Sequence, residues 1–241
     1  MSAVIELKNV SRVYRNGRGL HETTLSVNEG EIIGLLGVNG SGKTTLMKIA
    51  CGMTRPDTGE AYIGGENVYI SPEKALKAVG AVIETPALYQ HLSALDNLYV
   101  TAGYQGIKDR AQIKKALAWI GFDRKIAKEK VKGFSLGMRQ RLALAMAFLG
   151  EKKALFLDEP TNGLDIESAA KVKDTIASVC RETGASAIVS SHLAGEIERI
   201  CTRVVILSGG RIIKDVSMEE ATQDGRTLEE FYLSSKEANA Q

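Results

Sequence analysis

Proline, cysteine and tryptophan are scarce in this 241-residue chain, at four, three and one. So few prolines exclude a polyproline or collagen-like architecture. Cys51, Cys180 and Cys201 are odd in number and lack metal-ligand spacing, so neither a disulfide scaffold nor a zinc site is expected. They read as reduced, buried thiols of a cytosolic protein. The longest apolar run, Leu142 to Leu149, falls far short of the ~20 residues a spanning helix needs. The N-terminus lacks the basic-then-apolar layout of a signal peptide. Charge of one sign is also missing: 31 basic against 29 acidic residues leave +2, so no nucleic-acid partner is expected. What remains is an ordinary globular composition, 44% hydrophobic and 25% charged, long enough to bury a core without staples.

Glycine is plentiful, 24 residues, and its placement carries information. Strands are expected over Val4–Tyr14, Thr24–Val27, Glu31–Leu36, Val79–Glu84, Lys153–Leu157 and Ala185–Ser190, with weak ones at Glu60–Ile63 and Asn67–Ile70. Helices are expected over Thr44–Cys51, Ser135–Leu149, Glu167–Arg181 and Ala194–Cys201. The pattern is also helical from Ser93 to Lys130, where Ile113, Leu117 and Ile120 share a face. Arg203–Leu207 and Arg211–Asp215 form a hairpin about Ser208-Gly209-Gly210. From Ser234 the chain reads as a solvated tail, giving one composite α/β domain over 1–235 and a tail at 236–241.

Gly37-Val38-Asn39-Gly40-Ser41-Gly42-Lys43-Thr44 fits G-x-x-x-x-G-K-S/T, after a predicted strand and opening a predicted helix. Such glycines turn backbone N–H groups inward around phosphate oxygens, and the helix N-terminus adds partial positive charge. Lys43 is expected to reach the β and γ phosphates, Thr44 to ligate Mg²⁺, and Thr45 to join the phosphate contacts. The dinucleotide fingerprint G-x-G-x-x-G is not matched here.

Ala154-Leu155-Phe156-Leu157-Asp158-Glu159 is an apolar strand that ends in two acids. Asp158 falls at its carboxyl end, where it can hold the Mg²⁺ shell. Glu159 can polarise an attacking water.

With these motifs the chain resembles the ATP-binding subunit of an ABC transporter. Phe134-Ser135-Leu136-Gly137-Met138-Arg139-Gln140-Arg141 is similar to the family signature, usually LSGGQ; Asn162-Gly163-Leu164-Asp165 to its D-loop; Ser191-His192 to its switch histidine. Tyr14 falls where the family stacks an aromatic on adenine. The resemblance runs from about Val4 to Asp215, with the motifs in family order. It implies a RecA-like P-loop NTPase core, an N-terminal antiparallel β subdomain and an inserted helical subdomain at about 85–150. It also implies a head-to-tail dimer, of this chain or with a related subunit, around two MgATP. Ser135 and Gly137 would then face the γ phosphate held by the other subunit, with Asp165 nearby, and Lys43, Glu159 and His192 would carry the hydrolysis. Ser135 alone reads either as a capping serine or as part of that anion site.

Glu84 stands where most members carry glutamine. A carboxylate there can still accept from a Mg²⁺-bound water but cannot donate. The Ile83-Glu84-Thr85-Pro86 run is similar to ATPases of bacitracin-type and lantibiotic-immunity transporters. Leu136 replaces the signature's usual glycine: either it weakens the sandwich, or its side chain points away. The family reading implies a motor on the cytoplasmic face of the cell membrane, held there through a separate permease that docks on the helical region. The alternative is a soluble ABC ATPase acting on nucleic acid or protein assemblies. Such proteins commonly carry two ABC domains or a long insertion, and neither is present here.

Overall fold

The computed structural model describes residues 3–239. β1 (Ala3–Val13) pairs antiparallel with β2 (Gly19–Asn28), burying Ile5, Leu7 and Val10 of the first strand and Leu20, Leu25 and Val27 of the second. β3 (Ile32–Leu36) is buried at every position, as a strand covered on both faces must be. Ile32 and Leu36 face one hydrophobic core, Ile33 and Leu35 the other. Gly34 lies on the first of these faces, and a Cβ there would come within 2.5 Å of Ile197 Cδ1. α1 (Lys43–Ala50) follows the phosphate loop, and β4 (Thr58–Ile63) returns antiparallel to β1 with the two-residue β5 (Glu66–Asn67) beside it.

After α2 (Pro72–Lys77) and β6 (Val79–Val82) the chain becomes helical: α3 (Ala94–Tyr104), α4 (Arg110–Trp119), α5 (Arg124–Ala127) and α6 (Leu136–Phe148). Side chains of Ser93, Asp109, Asp123 and Ser135 cap these four helices, satisfying first-turn N–H groups. The expected face of Ile113, Leu117 and Ile120 is buried in a third core, with Leu98, Phe122, Phe134 and Leu142. α6 also turns Leu144, Ala147 and Phe148 to the sheet, which explains why its later part, Leu142 to Phe148, is apolar on every side.

The chain then adds β7 (Ala154–Leu157), α7 (Ile166–Thr183), β8 (Ser186–Ser191), α8 (Ala194–Ile197), β9 (Arg203–Ser208), β10 (Arg211–Ser217), α9 (Met218–Ala221) and α10 (Leu228–Ala238). The larger sheet has the order β10-β9-β3-β8-β7-β6, parallel except for β10; the smaller is β2-β1-β4-β5. A P-loop core, an antiparallel β part and a helical part are thus all present, as expected.

Two expectations fail, and a third stretch takes a form that was not expected. Asn67–Ile70 is not a strand, because the Asn67 side chain accepts from the N–H groups of Tyr69 and Ile70 and closes a turn. The helix from Ala194 stops at Ile197 rather than Cys201. The stretch from Ser234 is helical where a plain tail was expected: α10 runs to Ala238, opened by a reciprocal capping box between Thr227 and Glu230, and Glu237 to Asn239 are exposed. Leu228, Phe231 and Ser235, on one helical stripe, are buried. Ala240 and Gln241 lie outside the described residues.

Candidate active site at the carboxyl ends of the parallel strands

Ligands of parallel α/β sheets bind beyond the carboxyl ends of the strands. Here β3 leads into the phosphate loop, β7 into Asp158 and Glu159, and β8 into His192. The order β3-β8-β7 sets these three ends side by side.

The loop is shaped by backbone that only glycine adopts cheaply. Gly40 has φ +83° and Gly42 φ +110°, and a Cβ on Gly42 would meet the Gly19 carbonyl at 2.8 Å. Gly42 caps α1 without a side chain, leaving the first N–H groups of that helix for an anion. Lys43 is 5% exposed, and its ammonium donates to the carbonyls of Gly37 at 2.6 Å and Val38 at 3.4 Å. Ser41 is buried against Gly37, with no partner for its hydroxyl among the described residues.

Glu159 bridges Lys43 and His192. Its Oε1 lies 3.4 Å from Lys43 Nζ and its Oε2 lies 3.0 Å from His192 Nδ1. Its backbone sits at φ +47°, a left-handed conformation costing a non-glycine residue about 1–3 kcal/mol. Thr44 Oγ1 donates to Asp158 Oδ2 at 2.7 Å, so a hydroxyl and a carboxylate converge beside the loop. An all-oxygen set of this kind suits Mg²⁺. Thr44 and Asp158 would hold the ion, which when bound neutralises charge between the β and γ phosphates.

A cleft of about 160 Å³ is lined by Tyr14, Arg18, Gly19, Asn39, Gly40, Gly42, Lys43, Thr44, Thr45 and Glu159. Tyr14 follows β1, whose end is tied down: Asp57, just before β4, pairs with Arg12 and accepts from the Val13 N–H at 2.9 Å, and the Arg12 guanidinium lies 5.5 Å from the centre of the Tyr14 ring. These two contacts hold the Asp57 carboxyl below its usual range, the Val13 N–H being the larger cause. Arg18 and Gly19 were not singled out from the sequence, where they belong to a turn-rich break with no motif of its own.

The other proposed contacts stand apart from this cleft. Ser135 caps α6, its hydroxyl accepting from the Met138 N–H at 3.2 Å. Gly137 lies against α7, where an added Cβ would meet Ser168 Oγ at 2.8 Å. Asp165 caps α7, accepting from the N–H of Ser168 at 2.9 Å and its hydroxyl at 2.8 Å, which lowers its pKa. Leu136 is 54% exposed and reaches over Gly163. The Glu84 carboxylate is 64% exposed and pairs with Lys48 on α1 at 2.6 Å, and its backbone is left-handed, φ +59°.

The family model described as ABC transporter matches residues 20–162, which span the phosphate loop, the signature and both acids. The chain belongs to the ABC transporter family. It is 33% identical over 234 residues to the bacitracin transport ATP-binding protein BcrA of Bacillus licheniformis, covering 97% of this chain and 76% of that protein. It is 32% identical over 229 residues to the lantibiotic transport ATP-binding protein SrtF of Streptococcus pyogenes, covering 95% and 96%. A solved ATP-binding subunit of an ABC transporter superposes with TM-score 0.84 at 27% identity, over 97% of this chain and 99% of that one. The chain is thus an ABC ATP-binding subunit and an ATPase. Among its described residues no helix is long and apolar enough to cross a membrane.

Proposed function

We propose that this ABC subunit dimerises head to tail around two MgATP and drives a separate membrane permease that exports, or gives immunity to, a peptide antibiotic. The observation that carries the motor reading is Glu159, set between Lys43 and His192 and one residue from the Thr44–Asp158 pair. In this reading Glu159 polarises the attacking water, and His192 orients the carboxylate and contacts the γ phosphate. Lys43 and the loop N–H groups hold phosphate charge. Tyr14 stacks on adenine. Ser135 and Gly137, which lie outside the cleft of their own chain, complete the site of the second subunit through the N-terminus of α6. The likeness to BcrA and SrtF over nearly the whole chain supports the substrate class.

The permease would dock on the helical region, placing the subunit at the cytoplasmic face of the membrane. A cleft of about 700 Å³ between α3, α4 and α5 suits it, with an apolar floor including Leu95, Ile113, Leu117 and Phe122. Arg110, Lys114, Arg124 and Lys128 line it with one acid, Asp123, which favours an acidic amphipathic helix as the occupant. Glu84 sits at the entry to this region and would relay its movement to the metal shell.

Glu159→Gln tests the motor reading. Phosphate release should fall by at least about 100-fold, while ATP still drives dimerisation on a sizing column. Turnover like the wild type would overturn the assignment. For the substrate class, deletion should sensitise cells to bacitracin-like or lantibiotic peptides; unchanged sensitivity to both would refute it.

A further inference from the structure

Ser190 lies on β8, between the strands that carry the phosphate loop and the two acids, and is fully buried. Its hydroxyl can donate once and accept twice. A backbone N–H can only donate, so the Glu159 N–H donates a hydrogen bond to Ser190 Oγ at 2.9 Å. The hydroxyl proton is then directed to Asp158 Oδ1, at 2.5 Å. Asp158 Oδ2 is already taken by Thr44, so both oxygens of this carboxylate are fixed. Glu159 occupies a left-handed conformation that persists only where its surroundings over-determine it, and its N–H bond to Ser190 is one such constraint. A valine would suit this buried strand position better on propensity and transfer grounds alone.

We propose that Ser190 is a positioning residue for ATP hydrolysis. It holds the Glu159 backbone in the turn that aims the carboxylate between Lys43 and His192, and it locks the Asp158 carboxylate plane. This assignment rests on the motor reading above for its consequence in turnover, and on hydrogen-bond geometry for its consequence in structure.

The test uses the full chain as Ser190→Ala, Ser190→Val and Ser190→Thr, with thermal unfolding as a control. Ser190→Ala should lower kcat by about 10- to 100-fold, the loss expected for a hydrogen bond to a charged group, with KM for ATP within about threefold. Ser190→Val should do at least as much harm, whereas Ser190→Thr, which keeps the hydroxyl, should restore most of kcat. Amide exchange in the peptide containing Glu159 should speed up in the alanine and valine variants and not in the threonine one. Wild-type kcat in Ser190→Ala, equal loss in Ser190→Ala and Ser190→Thr, or unchanged exchange at Glu159 would each overturn the proposal. Faster exchange at Glu159 in a chain whose wild type lacks turnover would support the positioning contact and sink the motor reading instead.

Discussion

Gly137→Ala separates two physical effects by sign. On helix propensity alone, alanine in place of glycine stabilises by about 1 kcal/mol, less near a helix end, and Gly137 is the second residue of α6. Packing opposes this. The new Cβ would stand 2.8 Å from Ser168 Oγ and 2.9 Å from Ser168 Cβ, closer than carbon tolerates. Ser168 cannot simply rotate away, because its hydroxyl and its N–H both hold Asp165, the cap of α7. The clash must therefore open α6 from α7 or break that cap, and overpacking of this kind costs about 1–3 kcal/mol. The net is a loss of roughly 0–2 kcal/mol, which at about 2–4 °C per kcal/mol lowers Tm by up to about 8 °C. Thermal unfolding reads the sign directly. Adding Ser168→Gly removes the blocking atoms, so the double variant should be more stable than the two single changes predict, by at least about 0.5 kcal/mol. A Tm that rises by 2–4 °C in Gly137→Ala, or strictly additive effects, would refute the packing argument. The same shift moves the N-terminus of α6, so ATP-driven dimerisation should weaken as well.

Tyr14→Ala should weaken binding of a fluorescent ATP analogue by about 5- to 100-fold, the worth of one base–aromatic stack, and should weaken GTP similarly, because stacking does not read base edges. Asp165→Ala should lower Tm at neutral pH. The contribution of Asp165 is fully present above its unfolded pKa near 3.8 and is lost as pH falls through its lower folded value. The Tm gap between variant and wild type should therefore narrow as pH falls below about 4, and a gap that stays constant or widens on acidification would contradict the capping role. Burial pushes the Cys51 thiol up to about 11 and the Cys180 thiol to about 12. A thiol reagent at pH 8 should leave the native chain unlabelled at these positions and label them once urea is added; rapid native labelling would show the burial to be wrong.

Much of this was legible from residues because the phosphate loop and the Asp158–Glu159 strand are local. Each needs only a short apolar strand and a fixed spacing, and both appear where pattern placed them. The helical face of Ile113, Leu117 and Ile120 was legible for the same reason. What escaped depends on distant residues. Arg18 reaches the cleft only because Gly19 abuts Gly42, with its carbonyl 2.8 Å from where a Cβ would stand. Ser190 stood only as the last residue of a predicted strand, because its two partners directly follow β7, thirty-odd positions upstream. Asp165 read as a nucleotide contact, and in the chain its carboxylate also accepts from the first turn of α7. α10 was missed because its apolar residues are sparse and a polar end masks the stripe that packs inward.

The departures Glu84 and Leu136 differ in what surrounds them. Leu136 is exposed and covers Gly163, so its bulk lies on the outer face of the signature helix and presses on the D-loop of the same chain. Leu136 is not among the residues lining the cleft that holds Lys43. Glu84 is tied to Lys48 on the very helix that the phosphate loop opens. An amide at position 84 would keep a hydrogen bond to Lys48 but not the charge pair, an exposed interaction worth less than about 1 kcal/mol. Stability is therefore a weak reason for a carboxylate here. Its stronger physical consequence is electrostatic: one more negative charge at the end of β6, beside the strand that delivers Asp158 and Glu159. The carboxyl ends of β3, β8, β7 and β6 thus present Lys43, His192, the acid pair and Glu84 in spatial order, and the outermost of them begins the segment that enters the helical region.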